Sequence, residues 1–252
     1  MQVPAMVRRI TNDIRSATTI QEVEAIFSVW QTYSFFDSIH TAATFTRVAN
    51  LLKGRPASTT AAAKTLLDQL AAAWDTQLQQ ATVQGLANFL WASGRLRYAN
   101  PQLWSRTLQL FCRQQQGEAT CQEVSNVVYS WQCWQKQTAV KFLAEAVAVM
   151  ATAPMHSVAG RDISNVLWAH ARLGVQVPAA WQRALLQSMV RESVLSGATS
   201  QALVNVLYAV VHLQQLLGWE PAAGNAQLWQ TQDSHSVQQK QGQLQCSCCK
   251  VA

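Results

Sequence analysis

Charged side chains are scarce in this chain of 252 residues. They make up 13% of the sequence, about half of the quarter that is usual in a soluble protein, and glutamine supplies much of the missing polarity. Hydrophobic residues make up 49%, which is enough to bury a core, so the composition excludes a chain kept unfolded by its own charge. The net charge is +6, and a positive surface favours a polyanionic partner.

The sequence also lacks an uninterrupted apolar run that is long enough for a membrane span. The nearest candidate, residues 202–219, contains Asn205, His212 and two glutamines, whereas a membrane helix needs about 20 mostly apolar residues. We therefore expect no membrane insertion. The first 19 residues are rich in arginine and poor in acids, as organellar targeting segments are, but they run straight into helical sequence.

No catalytic constellation is visible. Paired acids, a nucleophile beside a base and a glycine-rich phosphate loop are all missing, so we expect neither an enzyme nor a cofactor. The six cysteines do not suggest a disulfide framework or a metal site, because three lie in helix-like segments and three crowd into "CSCC" at 246–249. They indicate a reducing compartment. His40 and His170 are expected to be packing residues without partners.

The chain contains an internal repeat. The segments "GLANFLWASGRL", "EVSNVVYSWQCW", "DISNVLWAHARL" and "ALVNVLYAVVHL" align without a gap, and their asparagines are 38, 39 and 40 residues apart. These asparagines are Asn88, Asn126, Asn165 and Asn205. A period of this size over several copies is typical of helical solenoids.

Helix start signals recur with the same period. Threonine precedes three of the four segments, where its hydroxyl can accept a hydrogen bond from the first helical turn, and Glu123 completes a capping box. The three predicted N-caps are Thr82, Thr120 and Thr199. A second helix is predicted to begin near Pro101 in one copy and near Pro178 in another.

These signals predict an all-α fold, a solenoid of four to five helical hairpins with a period of about 38–40 residues. We expect capping helices over 1–36, the repeat array over 37–230, and a disordered, glutamine-rich tail over 231–252. The first hairpin of the array, over 38–52 and 59–80, is degenerate because it lacks the asparagine and the tryptophan.

The motif N-[VF]-[LV]-[WY]-[AS], a period near 38 and Pro-x-x-Trp at the second helix resemble the octotricopeptide repeat family of green algae. The entry segment over 7–52 is similar to that of the same family and of related proteins with a RAP domain. The resemblance implies sequence-selective binding of an organellar transcript in a chloroplast or mitochondrion. The implied role is RNA stability, processing or translation, with other organellar proteins as further partners.

One face of each first helix carries a polar stripe, which we define by four aligned positions: a first-turn residue, the asparagine, an aromatic residue, and a position that is mostly basic. Single-stranded RNA requires amides for base edges, planes for stacking and cations for phosphates. The candidate RNA-binding residues are Gln84, Asn88, Arg95, Gln122, Asn126, Arg161, Asn165, Arg172, Gln201, Asn205 and His212.

Each position of the stripe has a structural alternative. An asparagine that is identical in every copy cannot distinguish bases, and it is expected to bond a neighbouring turn or repeat. The aromatic residues Trp91, Tyr129, Trp168 and Tyr208 are expected to pack between repeats. The first-turn residues either select bases or are solvated, and the arginines, extended by Arg97 and Arg106, either bind phosphates or are surface cations.

The alternative function is a protein-interaction scaffold of the solenoid type without RNA binding. The positions of the arginines distinguish the two functions. If Arg95, Arg161 and Arg172 line one groove, RNA binding is favoured. If they scatter while apolar side chains face outwards, the scaffold is favoured.

Overall fold

The computed structural model describes residues 3–53, 55–56, 61–114, 119–131, 159–174, 187, 189 and 191–217. Within these residues every regular element is a helix, so the predicted all-α class is confirmed for them. The helices are α1 (Val3–Ser16), α2 (Ile20–Trp30), α3 (Ser38–Leu51), α4 (Ala61–Gln77), α5 (Val83–Leu96), α6 (Pro101–Gln114), α7 (Cys121–Trp131), α8 (Gly160–Leu173), α9 (Glu192–Leu195) and α10 (Ser200–Leu217), with a 3₁₀ turn at Leu78–Gln80.

The chain divides into two compact units, Met1–Val210 and Val211–Ala252. The predicted tail over 231–252 and the predicted second helix that follows α7 lie outside the described residues. So does most of the helix predicted from Pro178. In the part of the chain that is described, no helix is both long and apolar enough to cross a membrane.

The predicted helix starts are confirmed by their hydrogen bonds. Thr82 Oγ1 accepts the Gly85 N–H at 3.1 Å, and Thr199 Oγ1 accepts the Ala202 N–H at 3.2 Å. At α7, Thr120 Oγ1 accepts the Glu123 N–H at 3.3 Å, while the Glu123 carboxylate accepts the Thr120 N–H at 2.6 Å. Each bond satisfies a first-turn amide that has no partner inside its helix.

The start of α3 corrects the interpretation of His40. Asp37 Oδ1 accepts the N–H groups of Ile39 and His40, and the His40 ring forms the other half of a capping box. His40 Nδ1 lies 2.8 Å from Asp37 Oδ1, and Nε2 lies 3.3 Å from the Val7 carbonyl. The side chain is buried as predicted, but it is not without partners, because it joins α3 to α1.

The first helix of each copy packs against the first helix of the next. In this way α3 contacts α5, α5 contacts α7, and α7 contacts α8. The second helices lie against their own first helices, α4 on α3 and α6 on α5, while α1 and α2 pack on α3. This order of neighbours is compatible with stacked hairpins.

Two contacts among the described residues show how closely the helices approach. The Trp74 ring of α4 stacks on Phe89 of α5 with centroids 4.7 Å apart, and its N–H donates to Thr107 Oγ1 of α6 at 3.1 Å. At Gly94 of α5, a Cβ would lie 2.7 Å from Ser130 Cβ and 2.8 Å from Ser130 Cα on α7. Only glycine allows this backbone approach, so Gly94 sets the distance between two copies.

Candidate nucleic-acid interface

A groove of about 500 Å³ lies across the first helices of the successive copies. Residues at the stripe positions form most of its walls. The lining residues are Thr46, Asn88, Trp91, Arg95, Gln122, Asn126, Tyr129, Arg161, Ser164, Asn165, Trp168, Thr199, Gln201, Ala202 and Asn205. Residues that are about 40 positions apart in the sequence therefore share one surface.

The helix starts explain why these side chains meet. Each stripe asparagine lies six residues after the N-cap of its helix, and each stripe aromatic residue lies nine after it. When stacked helices begin at the same level, residues that are equally far from their N-caps lie side by side. Thr46 lies nine residues after the Asp37 cap of α3, where α5 has Trp91. Sequence comparison missed Thr46, although counting from Asp37 would have found it.

The groove contains most of the predicted site residues, but not all of them. It includes the four asparagines together with Arg95, Gln122, Arg161 and Gln201. Gln84 is exposed in the first turn of α5 and does not line the groove. Arg172 is exposed and does not line the groove either, and its guanidinium lies over the Trp168 ring, 5.8 Å from the centroid. His212 lies on α10 in the second unit and is half-buried.

The charge of the groove is positive. Its described lining contains two arginines and no aspartate or glutamate. The Arg161 side chain is 57% exposed, with Nε 3.6 Å from Asp162 Oδ1. Arg95 Nε is shielded from solvent and has no hydrogen-bond partner among the described residues. The Arg95 side chain lines the groove, with its guanidinium over the Trp91 ring.

Asp162 connects two copies beneath the groove. Asp162 is only 4% exposed, and its carboxylate accepts a hydrogen bond from Ser125 Oγ of α7 at 3.0 Å. Burial and the nearby Asp162 carboxylate together raise the pKa of the Cys121 thiol. Because Asp162 also contacts Arg161, the contact between α7 and α8 fixes the first turn from which Arg161 extends.

The aromatic residues of the stripe differ in their contacts. Tyr129 and Trp168 stack on one another, with centroids 5.9 Å apart and an interplanar angle of 22°. This pair packs between copies, as the structural alternative expects. Trp91 instead has the Arg95 guanidinium 5.2 Å from its ring centroid. Tyr208 is 39% exposed.

Among the described residues, the asparagines of the stripe do not bond a neighbouring turn or repeat, although the structural alternative expected this. Asn88, Asn126 and Asn165 are half-buried, and their side chains make no hydrogen bond with any described residue. Asn205 accepts a hydrogen bond from Gln201 Nε2 of its own helix at 2.9 Å. Three amides in the groove are therefore available to a ligand.

Two further arginines do not extend the groove. Arg106 lies on a second helix, α6, and pairs with Asp75 of α4 at 2.6 Å. Arg97 is the C-cap of α5, with a left-handed φ of 49°. Neither lines the groove, so the proposed extension of the phosphate contacts to these residues is not supported.

No protein-family model and no curated protein sequence matches this chain. Among the described residues, no group of three or more His, Cys, Asp or Glu side chains is placed to hold a metal ion.

Proposed function

We propose that this chain is a helical-repeat solenoid of the octotricopeptide type that binds single-stranded RNA sequence-selectively, without catalysis. Its target is an organellar transcript in a chloroplast or mitochondrion, whose stability, processing or translation it controls together with other organellar proteins. The observation that carries the proposal is a groove lined by equivalent positions of successive copies.

The composition of the groove favours RNA among polyanions. The unpaired amides of Asn88, Asn126 and Asn165 suit the donor and acceptor edges of bases, and Arg95 and Arg161 suit phosphates. A duplex hides its base edges in a deep and narrow groove, so amides fixed on a helix face require a single strand. The first-turn position is glutamine in α5, α7 and α10 but Arg161 in α8, which gives the α8 copy a base preference of its own.

The scaffold function has one observation in its favour. Val29 and Tyr33 near α2 and Ile39 of α3 are between 47% and 57% exposed, and exposed apolar side chains suit a protein partner. They do not line the groove. Because Arg95 and Arg161 do line it, a protein contact at α2 and α3 would leave the RNA groove free.

The experiment is to purify the full chain, sequence the RNA that copurifies, and measure its affinity for the enriched sequence as single strand and as duplex. We expect tighter binding of the single strand. The double variant Arg95→Ala, Arg161→Ala should lose most of the binding, while the matched control Arg106→Ala, whose arginine pairs with Asp75 away from the groove, should keep it. Equal affinity for both RNA forms, or equal loss in the control, would contradict the proposal.

A further inference from the structure

The aromatic positions of the groove are not equivalent. Trp168 already has a ring partner, Tyr129, and a cation, Arg172, over its ring. Tyr129 is occupied by the same pair. Each ring of this pair already has an aromatic partner within the protein.

Trp91 is different. Arg95 lies 5.2 Å from its ring centroid, but Trp91 makes no ring–ring contact with any described aromatic residue. On α3, the neighbouring helix, the equivalent position is Thr46, which lines the same groove and carries no ring. A half-buried indole therefore faces a groove in which its neighbour on one side is a small side chain.

The polar groups around Trp91 complete a site for a nucleotide. Arg95 lines the groove with its guanidinium beside the indole, and Asn88, one turn before Trp91, makes no side-chain hydrogen bond with any described residue. Its amide can pair with a base edge while the guanidinium binds a phosphate. Two turns of α5 thus carry an aromatic ring (Trp91), an amide (Asn88) and a cation (Arg95).

We propose that Trp91 is the base-stacking platform of the groove, where one RNA base stacks on its indole and the adjoining phosphate binds Arg95, whereas the Tyr129–Trp168 pair stays closed and structural. This inference rests on the proposed function, because it names the place on the groove where an RNA base is held. The inference goes beyond the proposed function because it assigns base stacking to one of the three aromatic side chains of the groove.

Photocrosslinking tests the position directly. The full chain is mixed with a random pool of single-stranded RNA in which uridine is replaced by 5-iodouridine, irradiated, and digested for mass spectrometry, because 5-iodouridine crosslinks to aromatic rings that it contacts. We expect the crosslink at Trp91. Crosslinks confined to Tyr129 or Trp168 would overturn the platform while leaving RNA binding intact. If the wild-type chain binds no RNA in the pool, both proposals fail together.

Affinities provide the second measurement. Trp91→Ala should weaken binding by roughly five- to 150-fold, the range that follows from about 1–3 kcal/mol for one base–aromatic stack, and Trp91→Phe should recover most of it. The matched control Trp168→Ala should lower the unfolding temperature but change the affinity less than Trp91→Ala. Circular dichroism checks that each variant is folded. Affinity loss in Trp168→Ala equal to that in Trp91→Ala, or no loss in Trp91→Ala, would overturn the assignment.

Discussion

Helices α3 and α5 have the same construction and different surfaces. Both begin with a side-chain N-cap, Asp37 in α3 and Thr82 in α5, and both pack on the next first helix. Their stripes differ, since α3 has Ala43 and Thr46 where α5 has Asn88 and Trp91. A first helix therefore stacks on its neighbour without the stripe asparagine or aromatic residue.

This difference shows which residues the packing of a first helix requires and which it does not. In α3 the cap and the buried residues, which include His40 and Phe45, take part in packing without either side chain of the stripe. The amide and the ring at the same two positions of α5 are absent from α3, and both line the groove. The comparison thus favours a ligand-binding use for Asn88 over the structural alternative considered from the sequence.

The largest expected effect concerns the distance between helices. Gly94→Ala places a Cβ 2.7 Å from the Ser130 Cβ and carbonyl oxygen, whereas the equivalent position of α3 already has the buried residue Ala49. We expect a loss of about 2–3 kcal/mol in the free energy of unfolding, since α5 and α7 must separate. Denaturant titration measures it.

Gly85→Ala is the matched control on the same helix. Its Cβ would meet nothing nearer than 3.4 Å, at Thr82 Oγ1, so helix propensity should raise stability by about 0.5–1 kcal/mol. Equal destabilisation by both substitutions would show that the close approach at Gly94 is not the cause of the stability loss in Gly94→Ala.

The next effect concerns base preference. Arg161 occupies a first-turn position where α5, α7 and α10 have glutamine and α3 has Ile39. If paired guanidinium donors bind a purine edge, Arg161→Gln should change the preferred base at one position, at a cost of about 1–3 kcal/mol for the original base. Selection of RNA from a random pool measures the motif. An unchanged motif would place base selection elsewhere in the groove.

Arg95→Ala should have a smaller and uniform effect. Arg95 lines the groove where α3 has Asn50 at the equivalent position. If it binds one phosphate, its removal should reduce the slope of log affinity against log salt by about 0.7, without changing the preferred sequence. Binding isotherms at several salt concentrations measure the slope. The same reduction in Arg106→Ala would mean that the slope reports net charge and not the groove.

The smallest effect on stability is expected from Asn88→Ala, which gives α5 the residue that α3 already has. Because the Asn88 side chain makes no hydrogen bond with any described residue, the free energy of unfolding should change by no more than about 0.5 kcal/mol. RNA affinity should nevertheless fall. Thermal unfolding and binding are measured on the same preparation, and a large loss of stability would restore the structural role of the asparagine.

Much of the local structure could be predicted from the sequence. Threonine caps, the capping box at Glu123 and the helix beginning at Pro101 all appear where they were expected. The interactions behind them span three or four residues, so the residues that make them are adjacent in the printed sequence. The repeat spacing likewise indicated which positions of α5, α7 and α8 are equivalent.

The site was predictable only in part. Equal offsets from the caps indicated that Asn88, Asn126 and Asn165 share a face, and the groove contains all three. Arg95 and Arg172 have the same offset and were both predicted to bind RNA, yet Arg95 lines the groove and Arg172 does not. A long side chain at an equivalent position is directed by its own neighbours, which the repeat pattern does not specify.

The sequence by itself determined the helical class of the described residues and the level at which each capped helix begins, because hydrogen bonding and 3.6-residue periodicity are local. Only the tertiary structure decided which side chains meet. The Ser125–Asp162 bond, the Tyr129–Trp168 stack and the contact at Gly94 each join residues some 36 to 39 positions apart. Their distances depend on how two helices pack, and that packing is a property of both surfaces together.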